Sequence, residues 1–439
     1  MKTLSFCLFL ILVGCSATKQ EATPSATVFE GARLITDGST VIDNSAFVIE
    51  NAKITAVGRK GEVSAPAGAA HIDLTGKTVI PALVDTHTHL GWAIIKTGRI
   101  DKDTYSKENL IDHLHRLAYY GVAATQSMGI DPGDTPYEVR ANPVADAALF
   151  HTAGRGMGRP NAGPGQPYWK PVAYAIDSEA DGRKAVQELA EKKVDWVKIW
   201  VDDRNRTVPK LTPPLYRAII DEAHKHDLRV VAHIYYLADA KELLRAGIDG
   251  FAHGVRDKDI DDEFMKLIKE RPNVFVIPNL PDIGTGLQDP AWLGETVPAS
   301  EIKKLTDAFQ NRSPEDKKKA ADFFAVQARN LKKLNDAGVR IGFGTDSGVT
   351  VGWTDHEELT DMVTAGMTPA QVITAATKTA AEILKMDQLG TVAAGKSADF
   401  IVLDANPLDN ITNSRKVSKV YLRGKEVDRG GLKAGFLAP

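Results

Sequence analysis

Between Val79 and Gly344 short apolar runs recur, each of a length that suits one buried strand. They occupy residues 79–86, 121–127, 145–151, 194–201, 228–234, 248–253, 273–278 and 339–344. Stretches of helical periodicity separate several of them, among them Gly182–Lys193, Leu215–His226, Ala238–Ala246 and Pro314–Asp336. Continuous apolar strands alternating with helices predict a parallel sheet covered on both faces, and eight such strands predict a (β/α)8 TIM barrel. Beyond the eighth run, Thr368-Pro369-Ala370-Gln371 carries an N-cap threonine, a proline at the first helical position and a glutamine at the third. It predicts a helix running on through Ile383.

The segments flanking this middle have a different texture. Thr27–Ile35, Ala46–Glu50 and Lys53–Val57 alternate apolar and polar residues between Gly, Asp and Asn punctuation, as short antiparallel strands do. Ala398–Leu403 and Lys416–Val427, with Gly424-Lys425 as a turn, read the same way. The expected fold class is therefore α/β: a barrel over 79–391, with a small β-sandwich domain built from both chain ends, 27–78 and 392–439.

The first residues read as an export signal. Lys2 precedes the apolar run Leu4–Val13, which is too short to span a bilayer comfortably. The run closes on Leu12-Val13-Gly14-Cys15, which resembles a bacterial lipobox. That resemblance implies a signal peptide over 1–14 and Cys15 as a lipidated N-terminus; a plain secretory signal cut near Ala17 also fits. Ser16 after the cysteine is not the aspartate that usually marks inner-membrane retention, so the expected location is the outer membrane, facing the periplasm. Residues 15–26 would be the tether. The expected membrane association is through this lipid anchor and not through a span.

The two cysteines, Cys7 and Cys15, both lie in this leader, so the remainder of the chain has no disulfide and no thiolate ligand. A formal net charge of −3 argues against a polyanion-binding surface, and no nucleic-acid partner is expected.

Barrel enzymes carry their chemistry at the C-terminal ends of the strands. The first run ends in His87 and His89, whose i, i+2 spacing puts both imidazoles on one face of a strand. Such a pair fits a shared metal ion, or two histidines with ordinary hydrogen bonds. The fifth run ends in His233, the sixth in His253 and the eighth in Asp346, while the fourth holds Lys198 inside Trp196–Val201. A buried ammonium is costly and shifts its pKa or finds a partner. Lys198 either pairs with Asp195 or Asp202, or stays a neutral amine that reacts with CO2. The resulting carbamate is an anionic oxygen ligand able to bridge two metal ions, and the other ligand-type residues at strand ends favour it.

With these residues in view, the chain resembles the amidohydrolase superfamily. The resemblance rests on His87-x-His89, Lys198, His233, His253 and Asp346, on Gly76–Asp85, and on Leu389–Asp399. The branch it resembles most is the imidazolonepropionase-related one, which includes metal-dependent prolidases and dipeptidases. The resemblance implies His87, His89 and Asp346 on one metal and His233 and His253 on the other. Carboxylated Lys198 would bridge two Zn2+ ions. It also implies a bridging water that attacks an amide carbonyl, with Asp346 as general base and then acid. The implied substrate is a small-molecule amide, a dipeptide or an N-acyl amino acid. Superfamily deaminases commonly carry a glutamate three residues after the fifth-strand histidine, where this chain has Tyr236. A lactonase or ester hydrolase, a mononuclear deaminase and a non-catalytic binding lipoprotein are the alternatives.

Outside the ligand set, Tyr235 and Tyr236 are candidates for donating to a developing oxyanion, and Arg155 and Arg159 for binding a substrate carboxylate. Either arginine also fits a solvated place on a long loop. His356 reads as a residue of the mouth or as a helix-start histidine. The long segment 278–300, with Trp292, has the character of a lid.

Overall fold

The computed structural model describes residues 26–280 and 289–438. Each of the eight apolar stretches holds a parallel strand: β1 (Leu83–Thr88), β2 (Val122–Ser127), β3 (Leu149–Thr152), β4 (Trp196–Val201), β5 (Arg229–Ile234), β6 (Gly250–Ala252), β7 (Phe275–Ile277) and β8 (Arg340–Ile341). Every residue of β1, β2 and β4 is buried, so polar side chains inside these strands have left water. β1 pairs with β2 and β2 with β3, while β4, β5, β6, β7 and β8 pair in that order, all parallel. The Asp195 amide donates to the Thr152 carbonyl (3.0 Å) and Met157 pairs with Ile199, joining β3 and its continuation to β4. At the other end the Thr86 amide donates to Phe343 O (2.9 Å), and the Asp346 amide donates to His87 O (2.7 Å). The chain after β8 thus lies alongside β1.

The helices start where local chemistry satisfies their free amides. Ser178 and Asp181 form a reciprocal capping box ahead of Glu179–Glu191, and Thr368 and Gln371 do so ahead of Pro369–Thr374. Three expectations need correction. The apolar run 79–86 is two strands, because Thr78–Pro81 belongs to a different sheet, where it pairs antiparallel with Phe400–Leu403. Apolarity continues through the crossing since both strands are buried, so it leaves no mark at Ala82. The hairpin turn is Arg423-Gly424, one residue before the expected place, and both residues have left-handed φ (52° and 76°). That conformation suits a tight hairpin turn. Finally, the tether does not reach residue 26, since Ala26 already opens the strand Ala26–Glu30.

The two chain ends make two further sheets. One runs Lys53–Arg59, Ser45–Glu50, Ala26–Glu30, Ala70–Asp73. The other runs Lys425–Glu426, Val417–Leu422, Phe400–Leu403, Thr78–Pro81, Arg33–Ile35, Val41–Ile42. Phe29 and Phe47 stack with ring centroids 5.0 Å apart, Phe400 and Tyr421 at 4.7 Å, and Phe29 meets Phe400 edge-on at 5.2 Å. Residues from both ends therefore share one small core. Along Phe400–Leu403 the side chains alternate: Phe400 and Val402 join that core, while Ile401 and Leu403 join the large core of the parallel strands. The chain closes on a helix, Arg429–Leu437, whose Phe436 packs under the Arg116 guanidinium (4.3 Å) of helix Lys107–Tyr119. Among the described residues no helix is long and apolar enough to cross a membrane. Cys15, the signal peptide 1–14 and tether residues 15–25 lie outside the described residues.

Candidate metal centre

β1 delivers His87 with its ring buried, and His89 follows one residue past the strand. Two hydrogen bonds to Asp85 of β1 position the loop after β8. Its carboxylate accepts from the Thr345 hydroxyl (2.7 Å) and the Thr345 amide (3.3 Å), holding the residue before Asp346 against the strand. Asp346 then turns its carboxylate onto both imidazoles. Its Oδ1 stands 3.2 Å from His87 Nε2 and 2.9 Å from His89 Nε2, and its Oδ2 stands 3.8 Å from His253 Nε2. The backbone is left-handed at Asp346 (φ 57°) and at His253 (φ 74°). Such conformations cost about 1–3 kcal/mol each at non-glycine residues and persist where surrounding contacts enforce them.

The other donors complete a ring. His253 lies one residue beyond β6, its centroid 5.2 Å from His87 and 4.6 Å from His233 of β5. Lys198 is fully buried in β4, with Nζ 3.4 Å from His87 Nε2. Neither carboxylate considered for it is its partner. Asp195 accepts from His151, the Thr152 amide and Arg140, and Asp202 sits 3.2 Å from His233 Nε2. Burial pulls the Lys198 ammonium down to about 7, against the favourable influence of Asp346.

Burial also holds His87 and His253 well below the ordinary imidazole value and brings His233 to about 3, so all three rings are neutral. Burial works against the Asp346 carboxylate, and the hydrogen bond from the His89 ring counters it, so the group is held below the ordinary carboxylate range. His87 Nδ1–H donates to Asn279 Oδ1 (2.8 Å) with the amide in its assigned orientation, which leaves Nε2 bare. A bare nitrogen then faces a carboxylate oxygen at 3.2 Å, lone pair against lone pair. His233 Nε2 is in a similar position, between an acceptor, Asp202 Oδ2 (3.2 Å), and a donor, Arg256 Nη2 (3.0 Å), which no single tautomer satisfies. His89 Nδ1 is buried without a partner. His87, His89 and Asp346 offer ligand atoms within 4.8 Å of one another. Neutral imidazoles, an ionised carboxylate and a low-pKa amine around opposed lone pairs fit divalent cations of the zinc type.

The structure brings His87, His89, Lys198, His233, His253 and Asp346 together and uses the remaining candidates elsewhere. The Tyr236 hydroxyl donates to Asp203 (2.9 Å) beneath Lys210. Tyr235 lies between Tyr236 (4.9 Å), Phe323 (6.2 Å) and the Arg256 guanidinium (5.4 Å). Arg155 donates to the Val172 carbonyl (2.6 Å) across the Tyr174 ring, and Arg159 to the Ile176 carbonyl (2.9 Å) beside Asp177 (2.7 Å). Both arginines tie their own loop together. His356 is buried between Ser414 and the Tyr120 carbonyl, and Trp292 packs on Tyr120 and His356, so neither belongs to a mouth, while residues 281–288 of the expected lid lie outside the described residues.

Two site residues escaped the sequence reading, Asn279 and Arg256, while Asp202, read there as a partner for Lys198, stands against His233. Asn279 lies two residues past β7 and Arg256 three past His253, both within reach of a strand-end search restricted less strictly to metal-ligand types. Trp169, from the loop after β3, packs its ring 5.4 Å from His89.

A profile of the family described as amidohydrolase matches residues 78–427. An uncharacterised protein of Mycobacterium bovis is 27% identical over 369 residues, covering 82% of this chain and 88% of its own length. A 5-methylthioadenosine/S-adenosylhomocysteine deaminase of Bacillus cereus is 24% identical over 449 residues, covering 91% and 93%. Among solved structures, a Bifidobacterium longum protein assigned as a prolidase superposes with a TM-score of 0.71 at 26% identity, over 94% of this chain and all of its own. A Xaa-Pro dipeptidase with bound methionine has the same fold, with a TM-score of 0.71 at 22% identity over 92% and 99% of the two chains.

Proposed function

The chain belongs to the amidohydrolase family, and from that premise we propose that it is a binuclear metal-dependent hydrolase of amide C–N bonds. Its substrate would be a dipeptide or N-acyl amino acid, as in the prolidase-like branch. The supporting observation is the convergence of six ligand-type side chains in which three imidazoles are neutral and Lys198 is pulled to about 7. In this reading the eight parallel strands form a (β/α)8 barrel and the terminal sheets a β-sandwich. The leader places the enzyme outside the cytoplasm on a lipid at Cys15.

His87, His89 and Asp346 would hold one cation, His233 and His253 the other, and Lys198 would bridge them after reacting with CO2. In that reaction the amine nitrogen bonds to carbon, one proton leaves to solvent, and the side chain becomes an anionic carbamate. Bound divalent ions supply Lewis acidity, polarising a carbonyl and lowering the pKa of water. Asp346, ionised and beside the reacting position, takes the proton from the attacking water and returns it to the leaving amine nitrogen. Asn279 fixes the His87 tautomer throughout.

A deaminase reading draws on the Bacillus relative, yet Tyr236 stands where those enzymes commonly carry glutamate, and its hydroxyl is bonded to Asp203. The test is elemental analysis of the purified chain, then assay of the zinc-loaded protein on dipeptides, N-acyl amino acids and lactones. About two equivalents of metal and release of an amine are expected. A chain that binds no divalent metal overturns the reading, and turnover of lactones alone replaces it with an ester hydrolase.

A further inference from the structure

Arg256 leaves β6 three residues after His253 and turns back over the centre. Its Nη2 donates to the Ile234 carbonyl (2.7 Å) and lies 3.0 Å from His233 Nε2, while its Nε is buried with no partner. Among the described residues it forms no ion pair. Asp202 and Asp346 favour its charge only at longer range, Arg204 opposes it, and burial brings it down to about 10. A guanidinium taken out of water without a carboxylate is an unpaired charge, and that is expensive unless something else supplies the anion. The loop arginines do not compete for that role, because Arg155 and Arg159 are engaged by carbonyls of their own segment.

We propose that Arg256 is a substrate-binding residue whose guanidinium pairs with a free carboxylate on the substrate, restricting the enzyme to acidic amides such as dipeptides and N-acyl amino acids. The proposal rests on the hydrolase reading above. A guanidinium donates strongly to a carboxylate, and here the Nε–H is buried without a partner among the described residues. The Tyr235 ring lies beside the guanidinium (5.4 Å). Neutral amides and lactones would leave the charge unpaired and so bind less well.

Two measurements test this on the full, metal-loaded chain. First, calorimetric and thermal-shift titrations compare a panel of free L-amino acids, the leaving products, with the corresponding amino-acid amides. At least one acid is expected to bind about 100-fold more tightly than its amide, the scale of an uncompensated buried charge pair. Arg256→Met should abolish that preference at unchanged metal content, and Arg256→Lys should keep part of it. Equal binding of acids and amides, no binding of any acid, or a preference that survives in Arg256→Met overturns the proposal. Second, steady-state assays compare N-acyl amino acids with their methyl esters at the carboxylate. Arg256→Met should raise KM for the acids by a larger factor than for the blocked substrates, with the effect falling on KM more than on kcat. If wild type cuts free and blocked amides equally, Arg256 has no such role and the hydrolase stands. If it cuts no amide in either form, the hydrolase reading has failed.

Discussion

A lysine side chain closed inside a strand is the most exacting residue in this protein. Among the described residues Lys198 has no carboxylate partner within a salt bridge, and burial makes its amine a nucleophile near neutral pH. If its carbamate bridges the centre, Lys198→Ala should lower bound metal from about two ions to about one and cut hydrolysis at least ~100-fold, the scale seen when a metal's surroundings are disturbed. Millimolar acetate or propionate, which places a carboxylate in the gap, should restore part of the rate. Unchanged metal content and rate would remove the carbamate from the mechanism. His113 poses a separate question, away from the centre. The Gly91 amide donates to its Nδ1 (3.1 Å) and its Nε2–H donates to the Ala93 carbonyl (2.9 Å), so only the neutral ring fits both bonds. Burial lowers it to about 4, against about 6.5 in an unfolded chain. The folded value lies below the unfolded one, so between these pH values the unfolded chain binds the extra proton. Stability is therefore lost as pH falls from about 6.5 to about 4, by up to about 1.4 kcal/mol per pH unit. Buried Asp131, raised to about 7 by burial, acts in the opposite direction over the same range. The effect must therefore be read as a difference: the advantage of wild type over His113→Gln in denaturant melts should shrink as pH falls from 7 to about 4.5. Parallel curves would show that His113 does not titrate.

At the scale of elements, the joints carry more information than the strands. Gly121 connects helix Lys107–Tyr119 to β2 with φ 93°, and its carbonyl accepts from the Leu83 amide (2.9 Å) at the start of β1. A Cβ there would come within 2.4 Å of Ile401 Cδ1, a side chain of the terminal sheet. Gly121→Ala should cost about 1–3 kcal/mol through left-handed strain and crowding, read as a lower Tm with metal binding retained. A neutral substitution would mean that Ile401 simply moves aside. The same distinction explains what is legible in the sequence. The strands could be located because parallel strands covered on both faces are apolar throughout, several helices because of their periodicity, and one because Thr368 announces it with a capping box. The six ligand-type residues were legible because strand ends converge whatever the loops do. What the sequence did not reveal depends on direction rather than residue type. Ala82, between two strands of different sheets, is as apolar as its neighbours. His356 points inward to Ser414 and Tyr120, and Arg155 and Arg159 reach carbonyls that only the folded loop brings near. Arg256 and Asn279 were passed over because neither is a usual metal ligand, although both contact one.

At the scale of the molecule, the two chain ends and the candidate metal centre depend on each other. Thr78–Pro81, held between Phe400–Leu403 and Arg33–Ile35, is followed after one residue by β1, which carries His87. Ile401, Leu403, Ile411, Val420, Leu422 and Val427 belong to the same buried cluster as the parallel strands. Six such side chains, at about 1.5–3 kcal/mol each, bury on the order of 10 kcal/mol. That is comparable to the whole stability of a typical domain, about 5–15 kcal/mol. Deleting the chain from Ala398 onward would also leave Thr78–Pro81 without its antiparallel neighbour and expose Phe29 and Phe47. The truncated chain is therefore expected to lose cooperative melting and metal binding together, although all six ligands and all eight parallel strands remain in its sequence. Circular dichroism melts and elemental analysis of the truncated protein decide the matter. A soluble truncation that melts cooperatively and still binds metal would show that the parallel strands fold alone. The terminal sheets would then be an attached unit, and not the clamp that sets the origin of β1.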